Sequence, residues 1–285
     1  MRKISILGAG WLGMALTKEL LKRGDVQVMA STRNEERKVE LMKFALDLNV
    51  ARLKNKEQSL TSPNLKLYAI SLPNVTLQDT AFFKADTLVV TIPPGRRREH
   101  AQEMYTAEII ATLKYAKENK TGSIIYTSST GIYGNTIGQV IETTPAAPAT
   151  ASAQAVLAAE ELIKKSGIPS TVLRLAGLFG PDRHPGRWFG GKPSIPNGDA
   201  PVNLVHQADV VSAILAVINQ NAWNKTYNVC ASSHPAKGSF YAKAAAQLGL
   251  GIPASLPGGG DGKWVDNRKL REELGWEPKH ELLTE

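Results

Sequence analysis

The sequence predicts an α/β fold built on a doubly wound parallel sheet, and three observations carry that expectation. Short apolar runs alternate with amphipathic stretches of helical length through the first 175 residues, the pattern of parallel strands joined by crossover helices. A glycine cluster, Gly8-Ala9-Gly10-Trp11-Leu12-Gly13, separates the first apolar run from the first amphipathic stretch. Beyond residue 175 the alternation weakens and Gly and Pro become frequent, which marks a smaller C-terminal lobe.

The elements follow in order. Lys3 to Leu7 reads as a strand, and Trp11 to Arg23 as a helix stopped by Gly24. Asp25 to Ala30 is a second strand, and Glu35 to Asn49 a second helix. Leu65 to Ile70 and Thr87 to Ile92 are strands, the latter ended by Pro93-Pro94-Gly95 because proline lacks the ladder donor. Glu99 to Asn119 is a long helix, Ser123 to Ser128 a strand, Thr150 to Lys165 a helix and Thr171 to Leu175 a strand. Gly180 to Pro201 has no period and is expected as a loop or lid. Ala208 to Asn219 (helix), Thr226 to Cys230 (strand), Phe240 to Gly249 (helix) and Asn267 to Leu274 (helix) complete the chain, with Ser255 to Lys263 a Gly/Pro-rich loop. The expected division is a domain over 1–175 and a covering lobe over 176–285.

Composition narrows the function classes. The chain has 285 residues, 42% hydrophobic and 21% charged, which excludes a disordered or collagen-like chain. A net charge of +8 favours anionic ligands, without the aromatic and basic patterning that would point to nucleic acid. The single cysteine, Cys230, cannot pair within the chain, so a reducing compartment, the cytoplasm, is expected. Met1-Arg2-Lys3 before the run Ile4 to Leu16 imitates a signal peptide, but glycines interrupt the run and a charged amphipathic segment follows it. No stretch approaches the roughly 18 apolar residues of a membrane span. The histidines, 100, 184, 206, 234 and 280, show no metal-ligand spacing, so no metal is expected.

The glycine cluster fits G-x-G-x-x-G in the context that pattern requires, after a strand and opening a helix. Gly8 permits the tight turn, Gly10 lets a pyrophosphate approach the backbone, and Gly13 lets the helix pack on the sheet. The first-turn amides of Trp11, Leu12 and Gly13 and the positive helix end then suit phosphate. A carboxylate at the end of the second strand would select NAD; here stand Ser31, Thr32 and Arg33. Two hydroxyls and a guanidinium suit a 2′-phosphate, so NADP is preferred over NAD. The competing reading has Thr32 or Asn34 capping the next helix, with Arg33 solvated.

Longer segments carry a family resemblance. They are Leu88 to Gly95, Ile124 to Gly134, Leu173 to Pro181, Val202 to Asp209, Tyr227-Asn228-Val229 and Leu274-Gly275-Trp276. Together with the glycine cluster they resemble an extended or atypical short-chain dehydrogenase/reductase of the NAD-dependent epimerase/dehydratase group. The resemblance spans nearly the whole chain; the stretch from Ser128 to Gly134 followed by Arg174 to Pro181 is its most specific part. It implies a Rossmann sheet with the cofactor across the strand carboxyl ends. It further implies that Thr91, Ile92 and Pro93 pass beneath the riboses, and that Ser128, Ser129 and the turn at Leu175 and Ala176 line the nicotinamide pocket. The implied chemistry is redox or epimerase/dehydratase work on a small polar substrate, with phosphorylated and nucleotide-linked sugars among the candidates.

One departure from the family is plain. Its usual proton-transfer pair is Tyr-x-x-x-Lys, and the matching positions here hold Ser152 and Val156. No tyrosine in the chain has lysine four residues on. Ser129 remains the candidate for holding a substrate oxygen. Tyr133, Tyr105 or a water held by Ser129 are the candidate proton donors, and Tyr133 is alternatively a pocket wall. A dinucleotide-binding protein without turnover, acting on a protein partner, is the competing class. Arg96-Arg97-Arg98 could attract an acidic ligand or simply be solvated, and Arg183 to Lys192 has the charge, aromatics and glycines of a lid. The small residues from Ala153 to Leu162 could pack against a second subunit in a homodimer or against their own chain.

Overall fold

The computed structural model describes residues 1–54, 64–95 and 101–282. The chain divides into two compact units. One is Met1–Thr127 with Ala158–Val172 and Trp223–Lys225; the other is Ser128–Leu157 with Leu173–Ala222 and Thr226–Glu285. The chain therefore passes repeatedly between the units.

The first part of the chain runs β1 (Arg2–Leu7), α1 (Trp11–Arg23), β2 (Val26–Ser31), α2 (Glu35–Lys54), β3 (Leu65–Tyr68), β4 (Thr87–Val90), α3 (Ala101–Glu118), β5 (Ile124–Ser129) and α4 (Ala151–Lys164). These strands join Ser170–Leu175 and Lys225–Val229 in one seven-stranded sheet, ordered Lys225–Val229, Ser170–Leu175, β5, β4, β1, β2, β3. β1 pairs in parallel with both β2 and β4. The chain thus winds outward on one side of β1 and then restarts on the other, which makes the β1–β4 border the topological switch point where such sheets bind ligands. Register sharpens this: Leu7 lies level with Ser31 and with Val90, so Gly8, Thr32 and Thr91 emerge together at one sheet edge.

Burial explains the strands. Ile4, Ile6 and Leu7 of β1 are buried, and Ser5 between them is buried because its hydroxyl donates to the Phe82 carbonyl at 2.5 Å. α1 buries Leu16, Leu20 and Leu21 and ends at Gly24, whose φ of 78° is the left-handed cap the sequence suggested. α2 runs to Lys54, five residues past its expected end at Asn49. A 3-10 helix, Gln78–Phe83, was invisible to periodicity; it seats Phe82 and Phe83 in an aromatic cluster with Tyr68 and Tyr115.

In the second unit, the stretch expected as a lid is packed. It contains α5 (Gly186–Phe189) and a strand, Ser194–Ile195, paired with Ala254–Ser255. Then come α6 (Gln207–Gln220), α7 (Lys237–Gln247) and α8 (Arg268–Leu274). A Cβ on Gly186 would stand 2.1 Å from the Ala244 carbonyl oxygen, so α5 lies directly on α7. Trp188 and Phe189 pack on Tyr241. Among the described residues, no helix is long and apolar enough to cross a membrane. Ala153 and Val156 of α4 are buried within their own chain.

Candidate functional site

The glycine turn is held by three hydrogen bonds from its neighbours. The Gly8 amide donates to Ser31 Oγ at 3.1 Å, the Ala9 amide to the Ser31 carbonyl at 2.7 Å, and Thr91 Oγ1 to the Gly8 carbonyl at 2.7 Å. Gly8 has φ 101°, and a Cβ there would meet Ile92 Cγ2 at 2.9 Å, so both conformation and space demand glycine. A Cβ on Gly13 would lie 2.3 Å from the Gly8 carbonyl oxygen. Gly10 differs: a Cβ would meet nothing nearer than 3.9 Å. The chain itself needs no glycine at that position, whereas a ligand approaching the backbone would. The Met14 amide is the first to reach back into the turn, to the Gly10 carbonyl, which leaves the Leu12 and Gly13 amides at the positive helix end without an intrahelical acceptor.

This turn floors a cleft of about 570 Å³ inside the first unit, bordered by Ser31 to Asn34, by Thr91 to Gly95, and by Arg37, Met104, Tyr105 and Glu108. Thr91, Ile92 and Pro93 line it. The Ser31 hydroxyl accepts the Gly8 amide and so supports the turn, which leaves its own proton to donate into the cleft it lines. Thr32 Oγ1 accepts the Asn34 amide at 3.2 Å, and Asn34 Oδ1 caps α2 by accepting the Arg37 amide at 2.8 Å. The helix cap and the arginine are both real, and they occupy separate atoms. Arg33 is exposed at the cleft margin, and Arg37, one turn into α2, joins it. Neither forms an ion pair among the described residues. Arg37 escaped the sequence reading, although its distance of four positions from Arg33 was the available signal.

Tyr105 is buried, and its hydroxyl donates to the Ile92 carbonyl at 3.2 Å and bonds Tyr126 at 2.9 Å. Burial drives its pKa far above the ordinary phenol range. This tyrosine braces the segment after β4 and is poorly suited to giving up a proton.

In the second unit, Ser129 ends β5 and caps a 3-10 helix, Thr130–Tyr133, by accepting the Gly131 amide on Oγ at 3.0 Å. Its side chain is partly exposed, whereas Ser128 beside it is buried. Tyr133 is wholly buried. Its hydroxyl donates to Asn228 Oδ1 at 2.8 Å and accepts from Arg174 Nη1 at 2.9 Å, and the guanidinium lies 5.2 Å from the ring centroid. Burial raises the Tyr133 pKa, with Arg174 opposing. A hydroxyl so engaged is not placed to exchange a proton with a ligand. Leu175 and Ala176 are buried, the latter with its amide on the Val229 carbonyl. On α4 the family's lysine position, Val156, is buried, and Ala153 lies against Gly131.

Lys263 was not foreseen. More than half buried, it donates from Nζ to the Gly134 carbonyl at 2.5 Å and toward the Thr130 carbonyl at 3.4 Å, bracketing the turn that Ser129 opens. Burial lowers its pKa. It lies 129 residues from Gly134 in sequence, so no local pattern could reveal it.

Two further expectations need correction or placement. His206, Asp209 and His280, distant in sequence, come together with potential ligand atoms within 4.8 Å of one another. His206 Nδ1 accepts the Ala208 amide, and Asp209 accepts the Lys279 and His280 amides and faces His280 Nδ1 at 3.1 Å. Asp209, in the first turn of α6, thus anchors the segment around His280. Arg96, Arg97 and Arg98 lie outside the described residues.

Comparison with known proteins agrees with this geometry. The family model for NAD(P)H-binding proteins matches residues 8–221. Protein YeeZ of Escherichia coli strain K12 is 37% identical over 281 residues, covering 97% of this chain and 96% of its own. Among solved structures, a UDP-glucuronic acid 4-epimerase from Bacillus cereus in complex with NAD superposes with a TM-score of 0.74 at 19% identity, covering 98% of this chain and 94% of that one. A UDP-glucose 4-epimerase from Thermotoga maritima with UDP-glucose gives 0.71 at 19%, covering 98% and 94%. Those structural likenesses establish the shared fold, while the family match and the relative establish descent: the chain belongs to the NAD(P)H-binding family.

Proposed function

We propose that this protein binds NADP(H) in preference to NAD(H) and uses it in redox or epimerase/dehydratase chemistry on a small polar substrate. The observation that carries the cofactor preference is the cleft margin after β2. Arg33 and Arg37 converge there without an ion-pair partner among the described residues, and Ser31-Thr32-Arg33 supplies no carboxylate to repel a 2′-phosphate. Gly10 and the first-turn amides of α1 would hold the pyrophosphate, and Thr91 to Pro93 would border the riboses. When bound, the cofactor supplies or takes up a hydride at the nicotinamide C4.

The protein's own contribution to chemistry rests on Ser129. Its hydroxyl, partly exposed at a strand end, can donate to a substrate carbonyl oxygen or accept from an alcohol. We assign Tyr133 to the frame around that turn, because Asn228 and Arg174 take its hydroxyl. Nucleotide-linked sugars are the first substrates to test, since both structural neighbours bear UDP-sugar epimerase names. A second reading, a dinucleotide-binding protein without turnover, is favoured by a specific observation: the lysine position holds buried Val156, and both candidate tyrosines are locked.

The two readings part in one experiment. NADPH and NADH are titrated by calorimetry, and absorbance loss is followed across a panel of carbonyl compounds and UDP-sugars, for the parent and for Ser129→Ala. Tighter NADPH binding with turnover that falls at least tenfold in the variant supports the enzyme. Binding without turnover across the panel supports the second reading, and tighter NADH binding would overturn the cofactor assignment.

A further inference from the structure

The outward face of α2 carries an apolar stripe that is exposed among the described residues. Leu41 and Ala45 are buried inward. Val39, Met42, Leu46, Val50 and Leu53 are between 42% and 67% exposed. Their spacings of three, four, four and three residues keep them on one face of the helix. At 3.6 residues per turn they fall within an arc of about 80°, well away from the inward face. Single exposed apolar residues are ordinary, but a continuous seam along one helix marks a contact surface.

The seam is symmetric about Leu46. An antiparallel second copy, related by a two-fold axis at Leu46, sets Val39 against Leu53 of the other copy, Met42 against its Val50, and Leu46 against itself. This is the self-complementarity that a two-fold interface requires. The charges agree. Glu36, Lys43, Asp47 and Lys54 run along one edge of the stripe, all exposed and without an ion pair among the described residues. In an antiparallel pair the same edges meet, bringing Glu36 within two residues, about 3 Å along the axis, of Lys54 of the other copy, and Lys43 equally near its Asp47. A parallel pairing would set this edge against the one bearing Lys38 and Asn49, where no such match exists.

We propose that α2 is a self-association surface through which two copies of this chain pair antiparallel along the Val39–Leu53 stripe. The apolar area offered is on the order of 400 Å² per copy, about half of what each partner of a standard interface buries, so the pairing is a micromolar equilibrium and not an obligate dimer. This inference stands apart from the cofactor reading.

Sedimentation of the full chain between 1 and 100 µM (about the range such an interface needs) should show a concentration-dependent shift from 30.8 kDa toward twice that mass. Leu46→Glu should abolish the shift. Lys43→Asp should weaken association about tenfold, and adding Asp47→Lys should restore it. Leu46→Cys should form an oxidised covalent dimer and Val39→Cys alone should not, since the native thiol, Cys230, is buried. Melting curves check that each variant is folded; should Leu46→Glu melt early, Leu46→Gln with Met42→Gln takes its place. A chain that stays monomeric throughout, a dimer indifferent to the seam variants, or Val39→Cys linking to itself as readily as Leu46→Cys would overturn the proposal.

Discussion

Replacing Gly10 and Gly13 separately by alanine divides what the glycine turn does for the fold from what it does for a ligand. At Gly13 the new methyl carbon would lie 2.3 Å from the Gly8 carbonyl oxygen, 3.1 Å from its carbon and 3.2 Å from Ile6 Cγ2. Backbone atoms cannot step aside, so α1 must shift off β1. Overpacking of this kind costs about 1–3 kcal/mol, or roughly 2–10 °C in melting temperature for a chain of this size. At Gly10 the nearest atoms are 3.9 and 4.0 Å away, and φ is −83°, comfortable for any L-residue. Gly10→Ala should therefore keep its melting temperature within about 2 °C, since a substitution that touches nothing stays within ~0.5 kcal/mol. The methyl group would instead stand where a pyrophosphate has to approach. Loss of one hydrogen bond to a charged group is worth about 1.5–3 kcal/mol, or roughly 10- to 150-fold in Kd. Differential scanning calorimetry and NADPH titration of both variants decide the matter. Unchanged NADPH affinity in Gly10→Ala, or a stable Gly13→Ala, would refute the reasoning.

Arg33→Ala should weaken NADPH about tenfold and leave NADH unchanged, as read by titration at low salt, whereas Arg37→Ala, whose Nη1 stands 4.0 Å from where a Cβ on Gly10 would lie, should weaken both. Tyr133→Phe should lower stability by about 1–3 kcal/mol in urea melts, because Asn228 Oδ1 loses its buried donor, while turnover per bound cofactor stays the same. Glu281 gives a pH prediction. Burial works against its charge, yet the amides of Ser233 and Ser232 and the Ser233 hydroxyl hold its pKa below the ordinary value of 4.5. A depressed folded-state pKa contributes stability that is complete above 4.5 and is lost as pH falls through the lower folded value. Glu281→Gln should thus melt lower than the parent at pH 7, with the difference shrinking once pH falls below 4.5; a difference that stays constant as pH falls would contradict the clamp.

Much of the fold and part of the site could be read from the sequence for a definite reason. β1, β2, β4 and β5 are buried on both faces and therefore written as nearly unbroken apolar runs, and the turn announces itself because sterics at Gly8 and Gly13 admit no other residue. What escaped was decided by contacts distant in sequence. Gln78–Phe83 has no period, since it exists to seat two phenylalanines against Tyr68 and Tyr115. Lys263 declares itself only through carbonyls far up the chain, and Asp209 only through the backbone around His280. Tyr133 was legible by its motif, with both a catalytic and a pocket-wall reading open, but the partners of its hydroxyl, Asn228 and Arg174, lie on strands no local reading would bring to it.

The bracing of Gly8 by Ser31 and Thr91 bears on kinetics. A loop already fixed by its own scaffold surrenders its freedom when the chain folds, not when a guest arrives. Capture of a dinucleotide then needs no rearrangement of that loop, and the encounter rate is set by diffusion and by the pull of the cationic rim. Tight and loose guests would enter at similar speeds and differ in how long they stay.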